Sequence, residues 1–157
     1  MRLAYRSLAI AIVVLVAVQA ASHAWASAGL GLFVQNGGVV DLSLMNSGGM
    51  PFSEVLGFMI HGLNGMYVIP AVSLALLLVS FFARIPRGPL WAAIVLALVA
   101  LQVTLGLLGH GLTILGALHG FNALILAAAA LYAQSLAARP RSGSTHGGEV
   151  PATYTHA

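Results

Sequence analysis

Two copies of one short polar string, each set in an apolar stretch, are the residues of this sequence best suited to chemistry. The strings read His-Gly-Leu-Asn at 61–64 and His-Gly-Phe-Asn at 119–122. From this composition a His-Gly-x-Asn string is expected by chance roughly 0.02 times, so two copies indicate a repeated unit. Since residues three apart share a face of a helix, each histidine and its asparagine would point the same way.

Paired imidazoles in apolar surroundings are typical ligands of a haem. Haem iron accepts a histidine on each face, and the core of a helical bundle can supply both from facing helices. A glycine after each histidine would leave room for the flat macrocycle, and a second hydrogen-bonding group would hold each ring by its other N–H. We therefore expect one haem b, with His61 and His119 as its iron ligands. The candidate cofactor-binding residues are His61, His119, Gly62, Gly120, Asn64 and Asn122.

Three other interpretations of the histidines remain open. Histidine, asparagine and glutamine often only join membrane helices through hydrogen bonds, worth about 0.6 kcal/mol each. A quinone site would need one histidine and a hydrogen-bonding amide. His23 and His110 end two helices on the same side, so with His61 and His119 they could form an all-imidazole copper or zinc site. Histidines at the membrane surface, in contact with water, are the more common case for His23 and His110.

The composition of the chain places it in a membrane. Of its 157 residues, 60% are hydrophobic and 6% are charged, whereas soluble domains carry about 25% charged residues. This excludes a water-soluble enzyme and a disordered chain. The absence of cysteine excludes disulfides, thiolate metal sites and Fe–S clusters. The basic surplus rests on arginines whose distribution indicates membrane topology rather than nucleic-acid binding.

Four apolar stretches are long enough, or nearly so, to cross the hydrocarbon as helices, which takes about 20 residues. The predicted helices are about 8–25, 56–82, 90–108 and 117–136, with an outer loop at 27–53. All the arginines fall at one end of this arrangement, and they are Arg2, Arg6, Arg84, Arg87, Arg139 and Arg141. By the positive-inside rule both termini lie in the cytoplasm. We expect a multi-pass protein of a bacterial cytoplasmic (inner) membrane.

The domain organisation follows from this topology. Residues 1–139 form a transmembrane domain, and 140–157, rich in Gly, Ser, Thr and Pro, form a disordered cytoplasmic tail. The first segment has a second interpretation, because a basic start and an apolar run ending in Ala-Trp-Ala at 24–26 are typical of a cleaved signal peptide. We favour an uncleaved helix, since the repeated unit requires it.

The repeated unit is a pair of helices. Leu-Val-Ala-Val-Gln at 15–19 matches Leu-Val-Ala-Leu-Gln at 98–102, so the first two helices correspond to the last two. The predicted fold class is an all-α membrane protein, a four-transmembrane-helix bundle built from two repeated helical hairpins. Because both hairpins have the same topology, their pseudo-twofold axis runs along the membrane normal. That axis places His61 and His119 at equal depth, facing each other near the outer face. Pro70 predicts a kink in the second helix.

The stretch from 101 to 119 resembles part of haem A synthase. The run Leu-Gln-Val-Thr-Leu-Gly-Leu-Leu-Gly at 101–109, followed by Gly-Leu-Thr-Ile-Leu at 111–115 and Leu-His at 118–119, is similar to the third and fourth helices of one half of that family. The family consists of two fused four-helix units, with a histidine in the second and fourth helix of each. The chain resembles at least as closely small four-helix membrane proteins common in actinobacteria. The resemblance implies the fold, and with it haem b on the two histidines.

Two departures separate the chain from the synthase pattern. That family has a carboxylate three residues before the second-helix histidine and an arginine just after it, where this chain has Phe58 and Gly62. The residues that the resemblance would assign to the oxidation are thus missing, and the synthase activity is not expected here.

The expected function is therefore a general one. We expect a single haem between the second and fourth helices near the outer face, with a role in electron transfer or haem handling. The alternative is a cofactor-free accessory or assembly subunit of a larger membrane complex. The expected partners are the lipid bilayer and either other membrane subunits or a second copy, with no nucleic acid.

Overall fold

The computed structural model describes residues 1–41, 43–44 and 47–138. Its four long helices are α1 (Arg2–Gln35), α2 (Val55–Ser80), α3 (Gly88–Leu108) and α4 (Thr113–Ala138). Each is long and apolar enough to cross a membrane, and the described residues contain no strand. The predicted fold class, an all-α membrane protein with four transmembrane helices, is confirmed. The predicted tail at 140–157 lies outside the described residues.

The four helices form a square bundle. Each packs against its neighbours in sequence, and α1 also packs against α4. Consequently α2 and α4 face each other across one diagonal, and α1 and α3 across the other. We call the end where α1 starts and α2 turns into α3 the arginine end, because Arg2, Arg6, Arg84 and Arg87 lie there. The opposite end, which carries His61 and the start of α4, is the histidine end.

Side chains of all four helices meet in a close-packed core toward the arginine end. Tyr5 of α1, Leu76 of α2, Val95 of α3 and Ala133 of α4 have no exposed surface. The Tyr5 hydroxyl also donates a 3.1 Å hydrogen bond to the carbonyl of Gly88. This bond satisfies a buried polar group and fixes the start of α1 against the start of α3.

Helix α1 is longer than predicted. The sequence indicated a helix over 8–25 and an outer loop from residue 27, but α1 continues to Gln35. At 1.5 Å per residue its 34 residues span about 51 Å, compared with about 30 Å of hydrocarbon. Gly29 allows this extension to pass close to the start of α2, because a Cβ atom at that position would overlap the Glu54 side chain. The outer loop between α1 and α2 is therefore shorter than the predicted 27–53.

Helix α2 contains a π-helical turn where the sequence predicted a kink. The turn spans Asn64–Val68 and leads into the α-helical segment Ile69–Ser80, which has Pro70 at its start. Proline has no N–H to donate to the carbonyl four residues before it, so a regular α-helical ladder cannot pass through this point. The π turn widens the helix just after His61, and such turns are frequent at functional sites.

Candidate functional site

His61 and His119 lie at the same depth on diagonally opposed helices. Each is six residues from the first residue of its helix at the histidine end, Val55 for α2 and Thr113 for α4 (61 − 55 and 119 − 113). Six residues correspond to about 9 Å along a helix. The two ring centroids are 6.0 Å apart, with the ring planes inclined by 53°. The structure thus brings together the two histidines that the sequence singled out.

Both imidazoles are held in the same way by the preceding helix. Nδ1 of His61 is 3.0 Å from the carbonyl oxygen of Gln19, and Nδ1 of His119 is 2.9 Å from that of Gln102. Because a carbonyl oxygen only accepts hydrogen bonds, each Nδ1 carries the proton and donates it. In the neutral ring Nε2 then keeps its lone pair, which is the form of histidine that binds metals.

The two asparagines join helices rather than line a cavity. The amide nitrogen of Asn64 donates to the carbonyl of Leu15 at 3.1 Å and to Oε1 of Gln19 at 3.3 Å. In the second hairpin Asn122 donates to the carbonyl of Leu98 at 3.0 Å and to the glutamine Oε1 of that hairpin at 2.6 Å. Both asparagines are buried. They hold the helix that presents each histidine against the helix that orients its ring.

A cavity of about 1140 Å³ lies between the four helices at the histidine end. The imidazoles of His61 and His119 line it, and its deeper wall includes the apolar side chains of Ile69, Val99 and Leu126. A packed protein interior leaves few voids larger than a water molecule. The chain's own side chains therefore fill the arginine half of the bundle but not the histidine half.

Glycines next to the two histidines open onto this cavity. Gly62 and Gly120 both line it, and a Cβ atom at either position would meet no atom within 4 Å. Packing within the chain therefore does not require glycine at these positions. The space beside each glycine adjoins the two imidazoles, where a flat ligand could approach.

The two halves of the cavity differ at the position four residues after each glutamine, which is His23 on α1 and Gly106 on α3. The His23 ring contacts His61 and Phe58, with centroids 5.0 and 5.5 Å apart. A Cβ at Gly106 would lie 3.1 Å from two ring atoms of His119. His119 therefore packs against backbone, whereas His61 packs against a third imidazole that the sequence interpretation left at the membrane surface.

His110, the fourth histidine of the described residues, lies in the turn between α3 and α4 and lines the rim of the cavity. Within the described residues, no group of three or more His, Cys, Asp or Glu side chains is arranged to hold a metal ion. The copper or zinc site that the sequence left open thus gains no support from the arrangement of the four imidazoles.

Comparison with known proteins gives no guide to the site. No protein-family model, curated protein or solved structure shows a significant match to this chain. The functional assignment therefore depends on the chemistry of the cavity itself.

Proposed function

We propose that this chain binds one haem b between His61 and His119. The observation that carries the proposal is the pair of imidazoles across the bundle diagonal, each with Nδ1 donating to a carbonyl and Nε2 available to a metal. Two imidazoles on opposite faces of one metal have ring centroids roughly 6–6.5 Å apart, because each metal–nitrogen bond is about 2.0–2.1 Å. The centroid separation of 6.0 Å fits this requirement.

The cavity suits a large flat ligand. Cavities that enclose ligands of drug size measure about 300–1,000 Å³, and this one measures about 1140 Å³. Its walls are mainly apolar, which suits a porphyrin, and Gly62 and Gly120 leave room beside the imidazoles. A bound haem would supply one-electron redox chemistry. The two histidines would hold it, and the Gln19 and Gln102 carbonyls would fix the orientation of the two imidazole rings. The apolar lining of the cavity would keep water from the iron.

The two hairpins are, in this proposal, copies of one unit. Support comes from the hydrogen bonds that reach residues at matching positions. The asparagines bond to the carbonyls of Leu15 and Leu98, and both the asparagines and the histidines bond to Gln19 and Gln102. A pseudo-twofold axis along the bundle accounts for the equal depth of the two histidines.

The proposed location is a bacterial cytoplasmic membrane with the arginine end in the cytoplasm. His119 is nineteen residues from Ala138 at the arginine end (138 − 119), or about 28 Å, so the haem would lie near the outer face. One haem at this depth could not carry electrons across the whole membrane. We therefore favour redox or haem-handling chemistry confined to the outer half, or shared with other membrane subunits or a second copy.

The resemblance to haem A synthase is consistent with a haem site but not with that family's oxidation. Phe58 and Gly62 stand where the family has a carboxylate and an arginine. Phe58 packs against His23, and Gly62 faces open space. Neither residue can take a proton or hold an anion, so the proposal includes binding of haem and not its conversion.

The reduced-minus-oxidised absorption spectrum of the protein purified in mild detergent tests this proposal. We expect a low-spin b-type spectrum that is lost or becomes high-spin in both His61→Ala and His119→Ala, and also in His61→Gln and His119→Gln. His110→Ala is the matched control for iron ligation, because it removes an imidazole at the cavity rim and keeps both iron ligands, so whatever haem it binds should remain low-spin.

A colourless protein that stays colourless after haem is added would overturn the proposal. The histidines would then act only as hydrogen-bonding residues between helices, and the glutamine variants should fold as well as the wild type. Under that outcome the chain is better described as a cofactor-free accessory or assembly subunit. The subunits that copurify with it would then identify the larger membrane complex.

A further inference from the structure

The position of the two histidines determines which way a haem must face, if the proposed function is correct. Haem carries two carboxylates on one edge. Toward the arginine end the cavity closes on apolar side chains, including Val99 and Leu126. A carboxylate placed there would be buried without a partner, which is strongly unfavourable. Toward the histidine end, α4 begins only six residues from His119, about 9 Å away. The carboxylate edge must therefore face the histidine end.

The α1–α2 side of that end is poorly suited to carboxylates. Glu54, at the start of α2, places a carboxylate there and accepts a 3.0 Å hydrogen bond from the Ser53 hydroxyl. The imidazole of His23 already has a partner, since its Nδ1 is 3.3 Å from the Ser27 hydroxyl. A haem carboxylate on this side would be repelled by that of Glu54, and the His23 ring, with Nδ1 at the Ser27 hydroxyl, packs against His61.

The turn between α3 and α4 has the opposite character. The segment 109–118 contains no acidic residue. His110 is exposed and lines the rim of the cavity there, and its imidazole makes no hydrogen bond with any of the described residues. The first turn of α4 follows directly at Thr113, and the free N–H groups of a helix start add a field that favours anions.

We infer that the α3–α4 turn is a carboxylate-binding subsite in which His110 donates a hydrogen bond to a carboxylate of the bound haem. The iron ligands fix the position of the macrocycle but leave it free to rotate about the axis that joins them. A contact at His110 fixes that rotation. The subsite thus selects porphyrins with a free acidic edge.

Binding titrations with two porphyrins test the inference. Ferric haem and its dimethyl ester, in which both carboxylates are blocked, are titrated into the wild type, His110→Ala, His110→Arg and the control His23→Ala. We expect His110→Ala to weaken haem binding about tenfold, the value of one hydrogen bond to a charged group at a partly exposed site. The affinity for the diester should change less than twofold. His110→Arg should preserve the preference for haem, and His23→Ala should not reduce that preference.

The outcomes separate the inference from the proposed function. An unchanged affinity of His110→Ala for haem, or an equal loss for haem and diester, would overturn the subsite. So would a loss confined to haem in His23→Ala. In each of these cases the wild type still shows its low-spin spectrum and the haem site stands. Failure of the wild type to bind either porphyrin would instead overturn the haem site itself. Each porphyrin also partitions into detergent micelles, but this does not affect the result, because the affinity of one porphyrin is compared between variants in the same detergent.

Discussion

At the scale of single residues, the hydrogen bonds of the two asparagines differ in quality. Asn122 donates to Oε1 of Gln102 at 2.6 Å, whereas Asn64 donates to Oε1 of Gln19 at 3.3 Å. We expect Asn122→Ala to lower the free energy of unfolding by about 1 kcal/mol, because it leaves the partly buried Oε1 of Gln102 without this donor. Asn64→Ala should cost less. Unfolding by SDS in mixed micelles, followed by circular dichroism, measures both values.

Each asparagine variant is the matched control of the other, since the substitution and the helix positions correspond. Equal losses, or a larger loss for Asn64→Ala, would show that hydrogen-bond length does not set the stability of these hairpins. The test does not depend on haem, because both asparagines point toward a neighbouring helix and neither lines the cavity.

The site residues could be predicted from the sequence only as far as local spacing reaches. A histidine and an asparagine three residues apart must share a helix face, so the histidine–asparagine pairs could be identified. The atoms that would hold the rings could not, because they are the backbone carbonyls of Gln19 and Gln102 on another helix. The contact of His23 with His61 was missed for the same reason. The alignment of the hairpins at Gln19 and Gln102 already pairs His23 with Gly106 four residues further on, and that difference was the available signal.

At the scale of helices, glycine serves two different purposes within α2. A Cβ at Gly57 would overlap the carbonyl of Ser22 and lie 3.0 Å from the Cβ of Ala26, whereas one at Gly62 would meet nothing within 4 Å. We expect Gly57→Ala to lower the thermal unfolding temperature by several degrees, because α1 and α2 must separate. Gly62→Ala should leave it unchanged or raise it, since alanine favours a helix over glycine by about 1 kcal/mol.

These two variants are compared without added haem, by thermal unfolding in the same detergent. A Gly62→Ala variant as unstable as Gly57→Ala would mean that the cavity closes on residue 62. It would thereby remove the argument that this glycine makes room for a ligand.

The helices themselves could be predicted well, and their ends less well. Apolar runs near twenty residues identify membrane helices whatever surrounds them, so all four were found. The end of α1 at Gln35 was not predicted, because the Gly-rich and Ser-rich composition after residue 26 is typical of a loop, whereas the helix continues through Gly29 and Gly31. Pro70 correctly marked an irregular point in α2, where the structure has a π turn over Asn64–Val68. The sequence pattern does not distinguish a π turn from other irregularities of a helix that contains proline.

At the scale of the whole molecule, the bundle is divided into a packed half and a half that contains the cavity. Small and branched residues close the arginine half, where Ala9, Ala92 and Ala130 have no exposed surface. In the histidine half, hydrogen bonds and glycine contacts hold each hairpin together, and the cavity occupies the centre. Such a division lets the packed half stabilise the fold while the cavity stays open. It also means that the orientation of the bundle decides which compartment the site serves.

The arginines predict that orientation, and single cysteines can measure it, since the natural chain has none. Val39, between α1 and α2, is 82% exposed, and Pro86, between α2 and α3, is also exposed. Because arginines are retained on the cytoplasmic side, we expect an impermeant maleimide to label Val39→Cys in intact spheroplasts. Pro86→Cys should be labelled only after the membrane is permeabilised. The reverse pattern would place the histidine end in the cytoplasm, so that haem would be exchanged with cytoplasmic partners and not with those outside.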